Sequence, residues 1–361
     1  MKPSAIMSFT QAAGRRLSLF LVSVASLILT LVVLELGLRV SHRLIKAPHT
    51  LVHQASSIPG LDYEMAPNRE LRLADGTLIK TNRYGMRDSE PSEQRTQSRC
   101  RIAALGDSYT FGLNVQVEQA YPKVLERRLR ESAAAAECQF EVLNFGTSGY
   151  CSWDEALMLR HRVVDFDPHV VTLGYVLNDP EVDPIQPLHT YFIKRPWWQP
   201  YDLLRLVGKA ETIRDEKRWG GGDYYFYLHA QNQRKWQSVV DAFRDIRDVT
   251  APRSIKVLVV IFPELTESFK GKPWSDYPYR KIHQQVSDLA VRNGFRVVDL
   301  LEAFAEYPSQ DLVFDGRDDH PNVRGHEVAA QAIEKELLAD SSYFFDLKPP
   351  SPANRPPITS H

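Results

Sequence analysis

The chain has 361 residues, 43% of them hydrophobic and 25% charged, a balance ordinary for a globular protein able to bury a full core. Lysine plus arginine (44) nearly cancels aspartate plus glutamate (45), so no overall field recommends a nucleic acid as partner. The three cysteines, Cys100, Cys138 and Cys151, fit neither a zinc spacing nor a CxxC redox motif and allow one intramolecular disulfide at most.

A short N-terminal tail (1–16) ends in Arg15-Arg16, and the run from Leu17 to Leu34 then carries no charge, proline or glycine. Residues 17–40 are long enough to cross the roughly 30 Å hydrocarbon core as a helix. A cleaved signal peptide would have a shorter apolar region followed by small residues. Here Glu35 and then Arg39-Val-Ser-His-Arg43 follow. The segment therefore reads as an uncleaved signal-anchor, a single transmembrane helix. Lys2, Arg15 and Arg16 before it are matched by Arg39, Arg43 and Lys46 after it, so flanking charge casts no vote on orientation.

Residues 41–99 are polar and short of apolar periodicity, which predicts a stalk with peripheral strands near Glu70–Ala74 and Thr77–Thr81. From 100 to 340 the pattern alternates. Short apolar runs at 101–105, 140–144, 170–173, 255–261 and 295–299 predict buried strands. Helical stretches at 120–131, 153–164, 234–249, 277–292 and 324–338 separate or follow them. Such alternation predicts a three-layer α/β/α domain around a parallel sheet covered on both faces. An aromatic-rich insertion (180–228) holds Tyr191, Phe192, Trp197, Trp198, Tyr201, Trp219 and the run Tyr224–Tyr227. Its rings suit either core packing or a substrate wall. A proline-rich tail (341–361) is expected to be disordered.

Ligands of open parallel sheets sit at the carboxyl ends of the strands, so the residues leaving each strand are the candidates. They are Gly106-Asp-Ser-Tyr-Thr-Phe-Gly112, Asn144-Phe-Gly-Thr-Ser-Gly149, Asn178-Asp179 and, before the last helix, Asp318-Asp-His-Pro-Asn322. One serine, one histidine with nearby carboxylates, and several glycines and asparagines make an inventory for acyl transfer. A helix-cap role for Asp107-Ser108 leaves the histidine cluster unexplained. A metal held by Asp315, Asp318, Asp319, His320 and His326 lacks ligands at a second strand end. No metal or cofactor is therefore expected. His326 fits the first turn of the last helix as a packing residue.

Gly-Asp-Ser with its exit glycine, Asn-Asp after the third strand and the late Asp-x-His-Pro-Asn, in that order, resemble the SGNH (GDSL-type) hydrolase superfamily over about residues 100–338. The resemblance implies a flavodoxin-like sheet, Ser108 as nucleophile, His320 as base and Asp318 as the residue that orients it. It also implies an oxyanion hole from the Ser108 and Gly149 backbone N–H groups and the Asn178 side chain. Two positions depart from the family pattern. Val176 stands where a glycine is frequent, and Arg317 occupies the position three before His320, which leaves Asp315 and Asp319 as rivals of Asp318. Asn82-Arg-Tyr-Gly-Met-Arg-Asp88 resembles a segment of membrane-anchored envelope members and on its own reads only as a turn with a basic side chain.

If the first two strands are neighbours in such a sheet, Cys100 and Cys138, each six residues before the strand-exit residue, start them at one level, within disulfide reach. That bond and the anchor together favour the periplasm or cell exterior. The expected activity is a carboxylic-ester hydrolase acting on an acyl ester of a glycan or lipid, with acyl transfer, lipase or thioesterase action, or a non-catalytic binding scaffold as alternatives.

Overall fold

The computed structural model describes residues 3–44, 52–73, 75–92, 99–181, 223–314 and 319–345. The first helix, α1 (Pro3–Leu44), contains a segment, Arg16–Gly37, long and apolar enough to cross a membrane. Its leucines, valines and phenylalanine are exposed, as suits an anchor or a signal sequence.

Residues 52–92 fold with the second compact unit of the chain. Strands β1 (His53–Ala55) and β2 (Tyr63–Met65) pair antiparallel, as do β3 (Glu70–Arg72) and β4 (Leu78–Lys80). The second pair falls on the two peripheral strands expected near Glu70–Ala74 and Thr77–Thr81, although the stretch does not stand off as a stalk. It packs on the rest of the unit through two small apolar clusters, Ile58, Leu61 and Tyr63 with Tyr150 and Val52, Met65 and Ile79 with Phe111, and through long-range hydrogen bonds of the buried Arg87 and Asp88. Apolar periodicity reports only apolar burial within an element, so it is blind to such bonds.

The main sheet has five parallel strands: β5 (Arg99–Gly106), β6 (Gln139–Asn144), β7 (Val170–Tyr175), β8 (Lys256–Ile261) and β9 (Arg296–Asp299), in the order β6-β5-β7-β8-β9. Each predicted run lies on one of them. The helices are α2 (Ser108–Phe111), α3 (Tyr121–Glu131), α4 (Ser152–His161), α5 (Gln233–Thr250), α6 (Arg280–Arg292), α7 (Val323–Ala339) and α8 (Ser341–Phe345). Strand order reverses at β5: the chain steps from β5 to β6, then crosses back to β7. Right-handed crossovers therefore put α3 on one face and α4, α5 and α6 on the other, and α3 packs with α7 while α4 packs with α5. The reversal opens the crevice between β5 and β7 at their carboxyl ends. Ile102–Leu105, Val170, Val171, Leu173 and Leu258–Ile261 are wholly buried, as strands covered on both faces must be.

Cys100 and Cys138 form a disulfide, with Cα atoms 5.8 Å apart. They are not level. Cys100 stands opposite Phe140, two residues beyond Cys138, because β5 runs on to Gly106 while Asn144 pairs with Ala104. The C-terminal end departs from expectation too. The start of the proline-rich tail is helix α8, whose Phe344 and Phe345 are buried, with Phe345 edge-on to Phe140 at 5.3 Å.

Candidate active site

Ser108 is the first residue of α2, which begins where β5 ends. Asp107 is the helix cap, and its carboxylate accepts from Tyr109 N at 2.8 Å. The capping role thus belongs to Asp107 and leaves the Ser108 hydroxyl for other partners. Burial pushes the Asp107 carboxyl up, while the bond from Tyr109 and the nearby His320 pull it down. Gly112 closes α2 in the left-handed region. Gly146, leaving β6, lies so close that a Cβ on it would overlap the Phe111 nitrogen. Only glycine lets the β6 exit loop pack on α2.

His320 approaches from the other end of the sequence. Its Nε2 lies 2.8 Å from Ser108 Oγ, across 212 residues of chain. The loop that carries it is braced twice. Val313 and Pro321 form an isolated bridge. Asn322 accepts from the N–H groups of Arg324 and Gly325 as the cap of α7 and donates to the carbonyls of Asp311 and Val313. Tyr109 ties this loop to α2: its hydroxyl donates to the Asp319 carbonyl at 3.0 Å and its ring lies 5.2 Å from the His320 ring. Ser108 Oγ is also 3.3 Å from Asp107 Oδ2. A hydroxyl has one proton, and the shorter contact is the one to His320.

The remaining predicted residues occupy neighbouring strand exits. Gly149 sits in the loop after β6 with φ +82°. Asn178 lies in the turn after β7, closed by Asp179 N donating to the Val176 carbonyl at 3.0 Å. Val176 itself is buried, so the absent glycine does not prevent a tight exit. Asp179 is held by Ser152 Oγ at 2.8 Å. Asn178 Oδ1 is buried with no hydrogen-bond partner among the described residues. Asp315 and Asp318 lie outside the described residues, as do Tyr191, Phe192, Trp197, Trp198, Tyr201 and Trp219 of the insertion. The Asp319 carboxyl lies near that of Glu264.

His326 lies in the first turn of α7, where its Nδ1 accepts from Tyr121 N at 3.2 Å. Burial first, then Arg87 and His320, hold it neutral, with its pKa lowered to about 3. Cys151 is buried beside Asp154 and its thiol is pushed well up, chiefly by burial, the opposite of what a thiolate nucleophile requires.

Three contributions were not read from the sequence. The fully buried Arg87 guanidinium donates to the carbonyls of Phe111 and Gly112 at the end of α2, and to those of Leu78 and Val115. Asp88 accepts from Asn144 N at 3.0 Å and pairs with Lys123 at 2.8 Å. Glu264, just beyond β8, is buried near Tyr225 and Asp319; burial first, then Asp319, pushes its carboxyl up. The Asn82–Asp88 motif was the available signal for the first two. Its chemistry is long-range, so local reading saw only a turn. Changing Arg87 to Met should lower stability by about 3 kcal/mol or more, because buried carbonyls lose a charged donor. Lysine should fail to rescue it, since one ammonium cannot reproduce the guanidinium fork. The midpoint of urea unfolding reads both outcomes.

Residues 104–328, more than half of the chain, match the GDSL-like Lipase/Acylhydrolase family. No curated protein matches the chain. Among solved structures it is similar to an acetylxylan esterase from Geobacillus stearothermophilus, at 20% identity and TM-score 0.42, over 67% of this chain and 96% of that one. It is also similar to a member of the lipolytic protein G-D-S-L family from Veillonella parvula, at 16% identity and TM-score 0.39, over 67% and 99%. The imidazole on the Ser108 hydroxyl at the exit of β5 is thus joined to a family match that reaches all five strands of the sheet: the chain belongs to the GDSL-like lipase/acylhydrolase family and is a serine ester hydrolase.

Proposed function

We propose that this enzyme is an O-acyl or acetyl esterase that cleaves an ester of an envelope or extracellular glycan or lipid through an acyl-enzyme on Ser108. The observation that carries the reading is the 2.8 Å contact between His320 Nε2 and Ser108 Oγ. In this reading His320 takes the Ser108 proton as the oxygen attacks the ester carbonyl, then returns it to the departing alcohol. A water molecule, activated by the same imidazole, releases the acid. The negative charge on the tetrahedral oxygen falls to the N–H groups of Ser108 and Gly149 and the amide of Asn178. Asp318, two residues before His320, orients the imidazole in this reading.

The setting follows from two further features. Residues 17–40 serve as a membrane anchor, and the buried Cys100–Cys138 disulfide suits an oxidising compartment, so the catalytic domain faces the periplasm or exterior.

A fluorophosphonate probe should label the wild type and leave Ser108→Ala unlabelled, and only the wild type should cleave p-nitrophenyl acetate. An unlabelled, inactive wild type would end the esterase reading. Comparing acetyl with long-chain acyl esters separates a deacetylase from a lipase. A phosphatase reporter fused after His361 should be active; an inactive one would put the domain in the cytoplasm.

A further inference from the structure

The candidate oxyanion donor Gly149 sits at a point where the backbone has two nearly equivalent choices. Tyr150 N donates to the Thr147 carbonyl at 3.2 Å, which makes Thr147–Tyr150 a β-turn with Ser148 and Gly149 at its centre. The positive φ of Gly149, +82°, marks the turn as type II. Types I and II differ by a flip of the central peptide, here the one joining Ser148 to Gly149, and glycine at the third position accepts either. In a trans peptide the C=O and N–H point in opposite directions. Whatever holds the Ser148 carbonyl therefore also aims the Gly149 N–H.

The Tyr63 hydroxyl donates to that carbonyl at 2.7 Å, from 85 residues away. Its side chain has little freedom. Tyr63 is 2% exposed, edge-on to His53 and Tyr150 at 5.5 and 5.4 Å. The Tyr150 hydroxyl donates in return to the Tyr63 carbonyl at 2.7 Å, so strand β2 and the turn clasp each other. Burial, then the nearby Asp154, pushes the Tyr63 hydroxyl well above its usual range, which keeps it a proton donor. Accepting a hydrogen bond at the carbonyl also polarises the peptide and makes its N–H a better donor.

We infer that Tyr63, from the segment before the catalytic sheet, is a positioning residue for the oxyanion hole: its hydroxyl locks the Thr147–Tyr150 turn in the form that presents the Gly149 N–H to the reacting oxygen. This rests on the reading of Gly149 as an oxyanion donor. Losing one such donor outright costs roughly 10²–10³ in kcat. Losing only its lock should cost less, about 10- to 100-fold.

The test is Tyr63→Phe, which keeps the ring and removes one oxygen. The full chain is used, with kcat normalised to sites titrated by the phosphonate. Expected are a 10- to 100-fold fall in kcat, little change in KM, and a matching loss of affinity for a trifluoromethyl ketone analogue of the tetrahedral intermediate. A purely structural role would lower the melting temperature and the number of titratable sites but leave kcat per site intact, and that result overturns the inference. Gly149→Ala, strained at this φ, separates the two readings. If it loses kcat while Tyr63→Phe keeps it, only the lock is wrong. If both keep wild-type kcat, Gly149 is not an oxyanion donor and the lock falls with it.

Discussion

Alanine at Ser108, at His320, or at both should lower kcat for ester cleavage by about the same factor, on the order of 10⁶. The equality is the informative part. If the two serve as nucleophile and base they act as one unit: without His320 the Ser108 hydroxyl is a poor nucleophile, and without Ser108 the imidazole has no hydroxyl to deprotonate. Their 2.8 Å contact makes them neighbours in space, and neighbouring groups that share one proton do not add. KM should change little where it reflects substrate binding. Asp318→Ala should cost less, roughly 10⁴, and more than either Asp315→Ala or Asp319→Ala. Single-turnover rates on an activated ester read all of these. A double variant much slower than either single one, or a His320→Ala enzyme within tenfold of wild type, would remove His320 from the role of base.

Removing the Cys100–Cys138 bond by a double alanine change should destabilise the domain while leaving kcat per active site near the wild-type value. The bond closes 38 residues of chain, and the loss of that restraint on the unfolded state is worth about 4 kcal/mol at 25 °C. For a domain of this size that corresponds to a fall of roughly 10 °C in melting temperature. Activity is spared because the bond lies at the amino ends of β5 and β6, whereas Ser108 and Gly149 follow their carboxyl ends. Both cysteines are 3% exposed, so reductant added to the folded enzyme should act slowly and added to the unfolded enzyme quickly. Thermal melts with and without reductant, each paired with a titrated rate, check both halves. An unchanged melting temperature would mean that the bond does not form in the isolated enzyme.

The two results probe opposite ends of the sheet, and those ends were legible to different degrees. Buried parallel strands must be continuous apolar runs, and covering helices must show a 3.6-residue period, so the order of β5 to β9 with α3 to α7 could be read directly. Strand exits then offered Ser108, Gly149 and Asn178 as candidates, and His320 beyond the last strand, because a parallel sheet presents its ligand-binding residues at one rim. The contact of Ser108 with His320 was legible only as a consequence of that topology, since 212 residues separate them.

What only tertiary structure decided is the work of residues 52–92. Tyr63, Arg87 and Asp88 act through polar side-chain atoms on backbone groups far along the chain: the Ser148 carbonyl, the end of α2 and the Asn144 N–H. No periodicity or spacing encodes a hydrogen bond to a distant peptide group. The same limit applies to Phe344 and Phe345, two aromatics beside a proline-rich tail whose burial depends on a surface built by Phe140. The sequence by itself determined the strands and the helices that alternate with them, because those follow from local pattern, while the flavodoxin-like order of the strands came with the family resemblance. The bracing of the sheet's carboxyl rim was decided by tertiary structure, because it depends on which peptide groups the finished fold leaves within reach of a buried polar side chain.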